Sequence, residues 1–93
     1  MVKHIVMFTF NEGIDKDAST AFVASLLEPL VGKIPGLLRL EVRRNFVGPD
    51  FTLYSEVEDR SALKVYAEHP LHIAAKDQFF HMLADRVCAD YEV

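Results

Sequence analysis

Val2-Lys-His-Ile-Val-Met-Phe-Thr-Phe10 is the stretch that decides the arrangement of this chain. β-Branched and aromatic residues dominate it, and no breaker intervenes before Asn11 and Gly13, so it reads as a strand. The even positions Val2, Val6, Phe8 and Phe10 form an apolar face interrupted only by His4. The odd positions Lys3, Ile5, Met7 and Thr9 are half apolar. A strand with apolar residues on both faces needs cover on both sides. One layer of helices covers one face, and something else must cover the other.

Working outward, Asp15 or Asp17 caps a helix that runs to about Val31, with Pro29 kinking or ending it near Glu28. Phe22, Leu26 and Leu30 or Pro29 follow helical spacing, with Val23 and Leu27 beside them. Gly32 to Gly36 is a loop. Leu37 to Val47 alternates as a strand that buries Leu38, Leu40, Val42 and Phe46. A turn at Gly48-Pro49-Asp50 leads into a strand from Phe51 to Glu58, closing a hairpin with Phe51, Leu53 and Val57 inward. Asp59 or Ser61 caps a second helical region, in which Leu63, Tyr66 and Ala67 share a face. Pro70 restarts the helix, and Leu71 to Ala84 carries Ile73, Phe80 and Leu83. Arg86 to Val93 is the last strand, with Val87, Ala89, Tyr91 and Val93 on one face. The order β-α-β-β-α-β specifies an α+β, ferredoxin-like protomer over residues 1–93: four antiparallel strands with helices on one face.

Composition says what covers the other face. Of the 93 residues, 51% are hydrophobic, at the top of the usual range for a chain whose small core buries only roughly 60–65% of its unfolded surface. That surplus predicts pairing of two open sheet faces in a homodimeric barrel. The net charge of −4 gives no basic footprint for nucleic acid or an anionic membrane. Arg43 and Arg44 read as a solvated strand edge rather than an anion site. No apolar run is long enough to span a bilayer, and the N-terminus reads as a strand rather than a signal peptide. The single cysteine, Cys88, is expected to be buried and structural, in keeping with a cytoplasmic protein.

Chemistry concentrates in Tyr66-Ala-Glu-His69-Pro70-Leu-His72. Pro70 pushes His69 out of the α region and favours the first position of a new helix. His69 is then an N-cap, and His72 lies in the first turn, where positive potential favours a neutral imidazole. Such an imidazole can act as a general base, and the Tyr66 phenol can hydrogen-bond a carbonyl or enolate oxygen. His4 needs a partner on the helix-facing side of the first strand, or lines a cleft shared with His72. His81 is expected to be exposed. His69 and His72 lack the spacing of helical zinc ligands, and no obvious carboxylate or cysteine completes a set, so no metal and no cofactor are expected.

Four stretches in register give the chain a family likeness: Val2-Lys-His-Ile-Val-Met-Phe8, Lys33-Ile-Pro-Gly36, Tyr66 with His69-Pro-Leu-His72, and Asp90-Tyr-Glu-Val93. Together they resemble the stress-responsive α/β-barrel (Dabb) family over the whole length. The resemblance implies a ferredoxin-like protomer and a homodimeric barrel. Many members have no assigned reaction, and the hydrophobic surplus is the reason to expect a small apolar or carbonyl-containing ligand held between sheet and helices. In the family's plant polyketide cyclases, which close a poly-β-keto chain by aldol condensation without a cofactor, a tyrosine and a histidine form the catalytic pair. Tyr66 and His72 stand at the matching positions, and His4 matches a pocket histidine. A further cyclase histidine is replaced here by Leu53. The resemblance therefore implies Tyr66 and His72 as a catalytic pair if the chain is an enzyme, and His4, Phe8 and Leu53 as residues facing the ligand. A haem-degrading or oxygenase-type activity on the same fold is a third reading.

Overall fold

The computed structural model describes residues Met1–Val93. Its elements are β1 (Val2–Phe10), α1 (Lys16–Leu27), β2 (Leu37–Arg44), β3 (Phe51–Val57), α2 (Arg60–Glu68), α3 (Pro70–Phe79) and β4 (Leu83–Glu92). The fold is ferredoxin-like: one antiparallel sheet in the order β2-β3-β1-β4, with the helices against a single face. No helix is long and apolar enough to cross a membrane.

β1 is central and pairs with both β3 and β4. Its even face is the buried one: Val2, Val6, Phe8 and Phe10 are each 5% exposed or less. Phe51 stacks between Phe8 and Phe10, with ring centroids 4.9 Å from each, and Phe79 of α3 meets Phe8 edge-on at 6.4 Å. Fully burying such a side chain stabilises the fold by about 1.5–3 kcal/mol.

Local chemistry sets the helix ends. Asp15 accepts from the Ala18 amide at 3.0 Å, and Asp59 from the Ala62 amide at 2.8 Å. Each such cap is worth about 1 kcal/mol. Pro29 converts the end of α1 into a 3₁₀ turn, Glu28–Leu30, so the helix stops at Leu27, short of the expected Val31.

Several expectations are corrected by tertiary pairing. Helix α1 buries Val23 and Leu27 with Ser19 and Thr20, whereas Phe22 is exposed. The short Ser19 and Thr20 side chains allow close approach, and the Thr20 hydroxyl is satisfied within the helix by Lys16 O at 2.7 Å. In β2 the register slips between Leu37 and Arg39, so Leu37 takes the inward place and Leu38 points outward. The strand ends at Arg44, leaving Phe46 fully exposed on the following loop. The helix expected over Leu71–Ala84 ends at Phe79, because β4 begins at Leu83 to pair with Phe10. Ala75 and Phe79 are the buried residues of α3, while Ile73 and Phe80 are exposed. Cys88 is exposed rather than buried, because β4 is an edge strand.

The other sheet face has two halves. Ile5, Met7, Val87, Ala89 and Tyr91 share its β1/β4 half. On the β2/β3 half, Arg39 pairs with Glu41 at 3.2 Å and reaches Glu56 at 4.0 Å.

Gly36 tests how closely the loop before β2 seats on α2. Its φ is +82°, and an added Cβ would lie 2.6 Å from Ala62 Cβ. Gly36→Ala should lower unfolding stability by about 2 kcal/mol or more. Gly48→Ala, at φ +91° in open space, should cost only the backbone part, about 1 kcal/mol. Urea denaturation compares them, and equal losses would contradict the close contact at Ala62.

Candidate functional site

The site grows from one interruption in a helix. His69 has extended backbone angles, φ −67° and ψ 135°, as the residue before a proline must. It closes α2 and opens α3: its N–H donates to Tyr66 O, and its Nδ1 accepts from the Leu71 amide at 3.1 Å. That second bond takes away the amide that would have reached Ala67 O in a continuous helix. His72 fills the gap, with Nδ1 3.2 Å from Ala67 O. Since a carbonyl only accepts, Nδ1 carries the hydrogen and Nε2 is left with its lone pair.

The same bond sets the His72 ring against Tyr66, with centroids 4.3 Å apart and planes tilted by 36°. Tyr66 is 1% exposed, and its hydroxyl is sealed from solvent with no hydrogen-bond partner. His4 stands on the other side, its ring centroid 6.2 Å from that of Tyr66. The histidine finds the partner it needs in Asp90, its cross-strand neighbour, whose Oδ1 pairs with His4 Nδ1.

Burial governs the titration of these groups. It holds the His72 imidazole below its ordinary value, against the Ala67 bond and with help from the Lys76 charge. The direction is the one expected from the helix N-terminus, but burial is the leading cause. Burial also pushes the Tyr66 hydroxyl up, so it remains a proton donor across the physiological range. At neutral pH the pair therefore offers one donor and one base.

These residues line a cavity of about 280 Å³ between the sheet and α2/α3, at the small end of the roughly 300–1,000 Å³ typical of ligand sites. All five residues singled out from the sequence, His4, Phe8, Leu53, Tyr66 and His72, stand on its wall. His69 does not, and serves as a cap. His81 is exposed. Arg43 and Arg44 are paired with Glu28 and Asp17 at 2.8 and 2.9 Å. A neighbouring depression of about 400 Å³ is shallower, and its Arg60 and Glu92 already neutralise each other at 2.5 Å.

The three charged wall residues, Lys76, Arg86 and Asp90, were not singled out. The alternation of Val87, Ala89 and Tyr91 against Arg86, Cys88 and Asp90 is visible in the sequence. Only the register with β1 shows that the second set faces His4, Val6 and Phe8.

Comparison with known proteins gives one family. The profile of the stress-responsive A/B barrel domain matches residues 2–93. An uncharacterized protein of Streptomyces coelicolor is 34% identical over 97 aligned positions, covering 99% of each chain. A dimeric protein of unknown function with a ferredoxin-like fold from Bacteroides fragilis superimposes with a TM-score of 0.87 at 32% identity, covering 99% of this chain and 95% of that one. A dimeric ferredoxin-like protein of unknown function from Thermobifida fusca gives 0.85 at 26% identity, covering 99% and 90%.

The state of His72 has a measurable consequence. The unfolded chain takes up its proton near pH 6.5, whereas the folded chain holds the imidazole neutral to lower pH. Stability should therefore be full above pH 6.5, fall as the pH drops below it, and stop falling once the folded imidazole itself protonates. Histidine NMR titration should place His72 below 6.5. His72→Asn should flatten that part of the stability profile, and an unchanged profile would refute the assignment.

Proposed function

This chain belongs to the stress-responsive A/B barrel domain family, and from that premise we propose that it is a homodimer binding a small apolar compound with a carbonyl oxygen. The observation that carries the reading is the Tyr66 hydroxyl, buried without a partner on a ring that lines the cavity. An enclosed hydroxyl without a hydrogen bond costs about 1–3 kcal/mol. A carbonyl oxygen reaching it from the cavity relieves that cost, while Val6, Phe8, Leu53 and Phe79 enclose the apolar body. Access takes a small adjustment of the wall, since the oxygen is sealed in the absence of a ligand.

Dimerisation is supported by the apolar half of the open face and by the dimeric state of the Bacteroides fragilis and Thermobifida fusca proteins. A pair of protomers buries Ile5, Met7 and Val87, which no element of one chain covers. In the cytoplasm, the expected compartment, Cys88 stays reduced.

A second reading makes the pair catalytic, favoured by the tautomer fixed on His72. Its Nε2 lone pair takes a proton from the carbon next to the bound carbonyl. The C–H electrons form an enolate, whose oxygen is held by the Tyr66 O–H. The enolate carbon then attacks a second carbonyl of the same molecule, and the proton on Nε2 passes to the new alkoxide. Returning the proton to another carbon instead gives an isomer. Neither route consumes a co-reactant.

Tyr66→Phe separates stability from function. It removes the unpartnered oxygen and should raise the apo stability by about 1 kcal/mol, or roughly 5 °C in Tm. It should also weaken binding of a small cyclic or β-diketone at least tenfold, as followed by thermal shift. Loss of α-hydrogens to deuterated water, followed by NMR, tests the second reading: wild type should exchange them and His72→Asn should not. If no ketone stabilises the wild type, the binding reading fails. Val87→Glu should shift sedimentation from dimer to a 10.6 kDa monomer, and a persistent dimer would place the interface elsewhere.

A further inference from the structure

The antiparallel pairing of β1 with β4 sets His4 opposite Asp90 and Val6 opposite Cys88. His4 Nδ1, Cys88 Sγ and an Asp90 carboxylate oxygen thereby converge, all within 4.8 Å of one another. Nδ1 meets Oδ1 of Asp90 directly and lies 3.8 Å from Sγ. We propose that these three side chains form a binding site for a zinc-like divalent cation on the rim of the cavity.

Donor type and spacing both support the assignment. Imidazole, thiolate and carboxylate form the mixed set that zinc accepts, and a cysteine selects against magnesium and calcium. Zinc–nitrogen and zinc–sulfur bonds of about 2.0 and 2.3 Å in a tetrahedron put the two donor atoms about 3.5 Å apart. The observed 3.8 Å needs only a few tenths of an ångström of closure. The Asp90 side chain is 40% exposed and free to swing outward to admit an ion beside His4. Cys88 is also exposed, which leaves an entry path.

Three ligands leave the fourth position open, as in catalytic rather than structural zinc sites. His4 and Asp90 both line the cavity, so a cation held by them would sit at its rim. A cation there is placed to polarise an oxygen of whatever occupies the cavity. The site departs from the sequence expectation that no carboxylate or cysteine completes a set. His4 is separated from its two co-ligands by most of the chain, so no spacing motif announces them.

Cobalt(II) titration of the full-length protein tests the proposal. One equivalent per chain should produce a thiolate-to-cobalt charge-transfer band that zinc abolishes and magnesium does not. Cys88→Ser should eliminate the band, and Asp90→Asn should weaken cobalt binding at least tenfold, with circular dichroism unchanged in both. His81→Ala should bind as wild type. Tyr66→Phe should keep the band, so that failure of the metal site and failure of the carbonyl site are read separately. No band in the wild type, or a band that survives Cys88→Ser, overturns the proposal.

Discussion

The rest of the molecule depends on the two-sided demand of β1. Its even face carries four of the buried core residues, and its neighbours on both sides are strands. Once that face is sealed by helices, the pleat decides every cross-strand pair. Phe8 meets Phe51, Val6 lies between Leu53 and Cys88, and His4 lies between Ser55 and Asp90. His4 is thus a polar group in a row that packing requires to be apolar. It is accommodated because the edge strand supplies a carboxylate and because the cavity begins where the row is interrupted.

A second constraint sets the opposite wall. Pro70 cannot continue a helix, and the hydrogen bonds it releases are taken up by the side chains of His69 and His72. His69 caps the new helix, His72 takes the orphaned Ala67 carbonyl, and the tilted rings of Tyr66 and His72 come into contact as a result. Two features of this arrangement work against stability. A hydroxyl is enclosed without a partner, and an imidazole is kept from its charged form. Both costs arise where Pro70 breaks the helix and His72 is drawn to the Ala67 carbonyl.

The open face follows the same strand parity. Residues opposite the core row make an apolar strip along β1 and β4, while arginines and glutamates on β2 and β3 pair among themselves. The apolar strip is what another copy can cover, and the ionic half is compatible with water or with a partner's charges. The chain's hydrophobic surplus thereby has a location rather than only a total.

Much was decided by the sequence alone, because the responsible interactions are local. Strand and helix order, the Asp15 and Asp59 caps, the breaks at Pro29 and Pro70, and the inward face of β1 depend on residues a few positions apart. The same holds for His69 as a cap. Tertiary structure decided what depends on pairing between distant strands and on which helix stripe docks. The slip after Leu37 turned Leu38 outward, α1 presented Val23 rather than Phe22, and β4 began three residues before Arg86 to meet the end of β1. It left Cys88 on an exposed edge and brought Asp90 and Arg86 to the cavity wall. Register between strands is a global quantity: the period of two is written in each strand, but the partner each residue meets is fixed only when the whole sheet closes.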